Sequence, residues 1–201
     1  MITHAVGISL GATSSVESGI AVREISSGKI IYLDKLFSMN DINLFFENYP
    51  SLKNSIICAS LPWDITMLDG KWRVLSKPYQ LIHTLGNFQN TNNWMQRFSM
   101  RGCDLLSTLK ENGINVFRYE LYLTRQKLNL YSNYKERSSA DCKFLQNILR
   151  NEYGFEDLPS NMLPVAQLEA IIGTILVNEY LNNNTQKIFE FKNIDVINVI
   201  K

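Results

Sequence analysis

Excess charge, paired cysteines and long apolar runs are all missing from this chain. Twenty Lys/Arg stand against nineteen Asp/Glu in 201 residues, a formal net charge of +1. No global field therefore draws the protein toward nucleic acid or an anionic membrane. The three cysteines, Cys58, Cys103 and Cys142, are odd in number and far apart, and only His4 and His83 could join them as metal ligands. Buried thiols in a reducing compartment are the expectation. No apolar stretch reaches the roughly 20 residues that a spanning helix needs, so no membrane segment is expected. The N-terminus shows neither a charged n-region nor a cleavable apolar h-region, which makes a cytoplasmic location the default. There is no internal repeat, and no low-complexity segment beyond Asn182-Asn183-Asn184.

What the chain does have is a globular composition, 45% hydrophobic and 11% aromatic, enough to build a core without disulfides or metal. A single domain over residues 1–201 is expected. Residues 4–10 form an apolar run that ends in the small-residue turn Gly11-Ala12-Thr13-Ser14-Ser15. Two β-rich runs, 18–26 and 29–37, flank Ser26-Ser27-Gly28, a hairpin turn in which glycine tolerates positive φ. Asn40 or Asp41 can cap a helix to about residue 48, with Leu44, Phe45 and Phe46 on its buried side. Residues 55–61 are a short, continuous apolar run, the pattern of a strand covered on both faces.

Residues 62–92 are irregular, with Pro62, Pro78, Gly86 and a turn at Leu68-Asp69-Gly70-Lys71. They read as an excursion over a sheet edge, with room for a small hairpin around Gly70. Helical periodicity covers 93–112, stopped by Asn112-Gly113. A short strand follows from Ile114, continuing toward Tyr119-Glu120-Leu121-Tyr122. Two helices are expected at about 123–131 and 138–152. The clearest helix spans 162–181, with an apolar stripe of Leu168, Ile172, Ile175 and Leu176 beside a small-residue stripe of Ala166, Ala170 and Gly173. The tail from residue 187 alternates enough for one or two edge strands.

Three antiparallel strands, a crossover helix, a parallel strand, then helix, strand and helices predict an α/β chain with a mixed sheet, in the order of the ribonuclease H-like fold. Short motifs point the same way. Val6-Gly7-Ile8-Ser9-Leu10-Gly11 resembles the "GIDxG" opening of such enzymes, and Ile57-Cys58-Ala59-Ser60-Leu61-Pro62 an "IDAP" strand end. Arg101-Gly102-Cys103-Asp104, with Leu109 and Gly113, resembles an "RxxD…LRxxG" helix. Tyr119-Glu120-Leu121-Tyr122 resembles "EVYP", and Gln167-Leu168-Glu169-Ala170-Ile171 resembles "LDAL". Together, and in this order, they resemble a family of predicted ribonuclease H-like nucleases of unknown cellular role.

That resemblance implies an acidic cluster holding Mg²⁺ or Mn²⁺, which activates water for phosphodiester hydrolysis. Carried over position by position, the catalytic cluster is Ser9, Ser60, Glu120 and Glu169, with Glu120 and Glu169 as the metal ligands. Two of the four are uncharged hydroxyls, so a weakened or inactive nuclease is expected. The alternative is a non-catalytic binding or assembly module on the same scaffold, with a protein or nucleic-acid partner. Asp64 and Asp69 lie beyond the fourth strand and could lend a carboxylate or simply form a solvated turn.

Residues 97–150 hold ten Lys/Arg against five Asp/Glu, with Tyr119, Tyr122, Tyr131 and Tyr134 interleaved. A nucleic-acid face using Arg101, Arg125, Lys127, Lys135 and Arg137 is one reading, because cations meet phosphates and aromatics stack on bases. A mixed-charge helical surface is the other, and it is favoured because the basic residues follow no single stripe. The turn at 11–15 also resembles the phosphate loop of actin-like kinases, which need a second, related half absent here. Ser60 as a nucleophile lacks a recognisable histidine partner.

Overall fold

The computed structural model describes residues 1–11, 14–60, 94–119, 121–135, 137–191 and 193–200. The excursion expected at 62–92, with its hairpin around Gly70 and the carboxylates Asp64 and Asp69, lies outside the described residues, as does Glu120.

The chain opens with β1 (His4–Ser9), β2 (Ser18–Glu24) and β3 (Ile30–Leu36), antiparallel to one another. The β2–β3 turn closes at Gly28, whose φ of +71° explains the glycine there. Helix α1 (Met39–Asn48) is capped by Ser38, with Asp41 completing a reciprocal capping box. This corrects the expected cap at Asn40 or Asp41. Those residues sit inside the first turn, and Asp41 supplies the box's second half. The helix buries Ile42 and Phe45, while Leu44 is exposed, so the expected apolar face is rotated by part of a turn.

After a 3₁₀ turn (Pro50–Asn54), β4 (Ser55–Ser60) runs parallel to β1 and is buried at every position. Helix α2 (Trp94–Glu111) ends at Gly113, φ +80°, and leads to β5 (Asn115–Tyr119), parallel to β4. Helix α3 (Leu121–Lys127) begins directly, so Leu121 and Tyr122 are helical where a continuing strand was expected. Helices α4 (Ser139–Asn151, capped by Ser138) and α5 (Val165–Leu181) follow. The hairpin β6 (Thr185–Phe191) and β7 (Ile194–Val199) completes the fold.

The seven strands form one mixed sheet in the order β3-β2-β1-β4-β5-β7-β6. The fold is α/β: antiparallel β3-β2-β1, then parallel β1-β4-β5-β7, flanked by helices, in keeping with a ribonuclease H-like layout. Of the two strands in the tail, where one or two edge strands were expected, β6 lies at the edge and β7 inserts between it and β5.

Strand alternation sorts the core into two layers. Val6, Ile8, Ile20, Val22, Ile57 and Ala59 pack with residues of α1 and α2. Ala5, Ala21, Ile56, Cys58 and Phe117 pack with residues of α3, α4 and α5. Helix α5 is the centre of the second layer, buried continuously from Ala166 to Val177. Its small-residue stripe lies directly on the sheet. A Cβ on Gly7 would fall 1.9 Å from the Ala170 carbonyl oxygen, and one on Gly19 1.9 Å from that of Ala166. This close approach carries α5 across the carboxyl end of β1.

Candidate functional site

The parallel register places Ser9 beside Ser60, and Ser60 beside Tyr119, at the carboxyl ends of β1, β4 and β5. Ligands of open α/β sheets gather at such strand ends. Ser9 and Ser60 are both buried. By strand parity Ser9 belongs to the same face as Ala5 and Gly7, the one that α5 covers. With Gly7 and Ala170 in contact, the preceding helical residue, Glu169, arrives over Ser9. The Ser9 hydroxyl donates to Glu169 Oε2 at 2.7 Å. The Tyr119 hydroxyl donates to the Glu169 carbonyl oxygen at 3.1 Å and fixes the helix backbone at that point.

The structure thus brings together Ser9, Ser60 and Glu169, which are far apart in the chain. The third partner of Glu169 is Arg137. Its Nε donates to Oε1 at 3.0 Å and its Nη2 to Oε2 at 2.7 Å, a bidentate, charge-assisted pair. Glu169 is only 1% exposed, whereas the Arg137 side chain is half exposed. The guanidinium therefore reaches in from solvent and neutralises a buried carboxylate, without which burial of that charge would be costly.

A second buried pair holds Arg137 in place. Asp141, in the first turn of α4, accepts from Arg125 Nη2 at 2.8 Å and Nη1 at 3.2 Å, and from Ser132 Oγ at 2.6 Å. It also accepts the Arg137 backbone N–H at 3.0 Å. Burial pushes the Asp141 carboxyl up, but the hydrogen bonds from Arg125 and Ser132, the Arg125 charge and the Arg137 N–H outweigh it and hold the group below the usual carboxylate range. Arg137 itself has φ of +60°, a left-handed conformation uncommon for a residue with a side chain. Nothing in local spacing links Arg137 to Glu169, 32 residues further on, so the pairing was invisible to sequence patterning.

The five residues proposed for a nucleic-acid face do different jobs. Arg125 is 1% exposed and ion-paired to Asp141, so it is not a phosphate contact. The sequence reading took its charge as a sign of exposure, and the buried carboxylate overturns that. Arg101 donates to the carbonyl oxygens of Gly11 at 2.6 Å and Phe37 at 2.9 Å, tying α2 to the loops after β1 and β3. Lys127 Nζ reaches the Ile200 carbonyl at 3.5 Å. Arg137 is committed to Glu169, and Lys135 is exposed.

Among the described residues, which leave out the other expected ligand Glu120, the donors at this strand end match Mg²⁺ or Mn²⁺ poorly. Hard divalent cations need charged oxygen ligands. Among the described residues the site offers one carboxylate, both of whose oxygens are bonded to a guanidinium, and two neutral hydroxyls. No group of three or more His, Cys, Asp or Glu able to hold a metal occurs among the described residues.

Nor is a thiol nucleophile at hand among the described side chains, which leave out Cys103. Cys58 and Cys142 are free and buried. Burial pushes the Cys58 thiol well up, and burial followed by the charges of Asp141 and Glu169 pushes Cys142 up. Among the described residues no helix is long and apolar enough to cross a membrane.

No family model matches the chain, and no curated protein matches it in sequence.

Proposed function

We propose that this chain is a ribonuclease H-like domain of nuclease ancestry that no longer hydrolyses phosphodiesters and serves as a binding or assembly module. The strand order supports the lineage, since three antiparallel strands followed by parallel β4 and β5 put positions 9 and 60 side by side with Glu169 above them. One observation carries the loss of activity: both oxygens of Glu169 are bound by Arg137 while its neighbours on the strands are serines. Activating a water needs a base or a Lewis acid, and Glu169 in a bidentate pair is already engaged. The fold alone does not decide function, so the weight rests on this site.

The test is cleavage of labelled single- and double-stranded DNA and RNA with Mg²⁺ or Mn²⁺. The expected result is no product above that given by Glu169→Gln. Metal-dependent cleavage that disappears in Glu169→Gln overturns the proposal. A mobility shift on the same oligonucleotides addresses the partner. Because Arg101, Arg125 and Arg137 are engaged within the fold, no shift is expected, and a salt-sensitive shift would point to a nucleic-acid partner.

A further inference from the structure

We propose that Arg137 is the resident cation of this strand end, a guanidinium doing the neutralising work for which the resembled nucleases use divalent metal. The inference deepens the functional reading above and rests on the same Glu169 geometry. It starts from charge. With carboxylates at positions 9 and 60, the pocket would need a multivalent cation to be neutral. With Ser9 and Ser60 there, Glu169 is the one carboxylate of that set among the described residues, Glu120 lying outside them, and one guanidinium matches it.

Arg137 supplies that charge in a form suited to the task. Its planar fork matches both oxygens of the carboxylate. The Ser9 hydroxyl adds a third donor to the same group, so Glu169 accepts two hydrogen bonds at Oε2 and one at Oε1. The cation is also preorganised. Asp141 holds the Arg137 backbone N–H, and Arg125 and Ser132 hold Asp141, these three side chains being buried. An arginine that had merely drifted onto a carboxylate would not need a left-handed backbone fixed by a second buried ion pair. The identity of residue 9 and the presence of Arg137 are therefore coupled: a charge at position 9 and a guanidinium at 137 are alternative solutions to one electrostatic problem.

The experiment is thermal unfolding of the full chain, in EDTA and in millimolar Mn²⁺ alone, with binding followed by calorimetry. Wild-type Tm is expected to be indifferent to Mn²⁺. Arg137→Met leaves Glu169 buried without its counter-charge and is expected to lower Tm by about 5–10 °C, and Arg137→Met/Glu169→Gln to recover most of that. Ser9→Asp/Arg137→Ala is expected to gain a saturable, Mn²⁺-dependent rise in Tm. If that variant fails to fold, the comparison of Arg137→Met with its double mutant still decides the matter.

A wild-type Tm that rises with Mn²⁺ and ceases to do so in Glu169→Gln overturns the assignment. So does Arg137→Met with wild-type stability, or a folded Ser9→Asp/Arg137→Ala chain blind to Mn²⁺. Oligonucleotide cleavage by wild type in EDTA that is lost in Glu169→Gln would instead sink the non-hydrolytic reading while leaving the resident cation in place.

Discussion

Replacing Asp141 by alanine should be among the most damaging single changes in this protein. Asp141 and Arg125 have side chains only 2% exposed, and the carboxylate also receives the Ser132 hydroxyl and the Arg137 N–H. Asp141→Ala strands a guanidinium in a dry environment. Breaking a buried pair from one side costs about 3–5 kcal/mol. For a domain of this length each kcal/mol moves Tm by about 2–4 °C, so a fall of roughly 6–20 °C is expected. Scanning calorimetry gives Tm, and urea unfolding gives the free-energy difference.

The companion variant, Arg125→Met/Asp141→Leu, removes both charges and keeps apolar bulk. It should recover much of the loss but not all. The Leu130 carbonyl, which accepts from Arg125 Nε at 3.1 Å, then loses that donor, and the Ser132 hydroxyl and the Arg137 N–H lose their acceptor, at about 1 kcal/mol each. An Asp141→Ala penalty below about 1 kcal/mol, the size typical of a solvent-exposed pair, would refute the claim that this network is buried and tightly coupled.

Two further outcomes follow from the same geometry. The folded-state pKa of Asp141 lies below its unfolded value, so its contribution to stability is full above about pH 4 and is lost as pH falls through the folded pKa; urea midpoints measured from pH 5 downward should fall more steeply in wild type than in Asp141→Asn, and equal slopes would remove Asp141 from the account. Gly7→Ala puts a Cβ 1.9 Å from the Ala170 carbonyl oxygen and should exceed the roughly 1–3 kcal/mol of ordinary overpacking, because backbone must move against backbone; a urea midpoint like that of wild type would mean that α5 does not sit on β1 as closely as described.

Local pattern was enough for the elements whose environment is set by their own residues. The opening hairpins, the fully buried β4 and the long helix α5 could be read because alternation, an unbroken apolar run and a small-residue stripe are statements about near neighbours. Failures came where a distant group decided the outcome. Leu44 is exposed although it sits in an apolar triplet, since Ile42 and Phe45 are the residues aimed at the sheet. The fate of β7 was hidden because both strands of a terminal hairpin look alike until one knows which of them β5 accepts.

Charge was the least reliable guide. Arg125 and Arg137 counted as candidates for a basic surface, yet one is buried against Asp141 and the other reaches inward to Glu169. The motif order grouped Ser9, Ser60, Glu120 and Glu169; the first two and Glu169 lie at one strand end, and Glu120 lies outside the described residues. That grouping could not reveal the arginine in their midst, because the segment supplying it belongs to none of the quoted motifs.

The interior position of β7 also bears on the order in which the sheet can be assembled. Until residues 194–199 have been synthesised, the outer edge of β5 presents open amide and carbonyl groups, a template for unwanted pairing with another chain. The β6–β7 hairpin is a local structure able to form before it docks. Parallel capture of β7 by β5 is then a late, long-range event on the ribosome, and a nascent chain stalled before residue 194 should be a stronger client for holdase chaperones than one released after it.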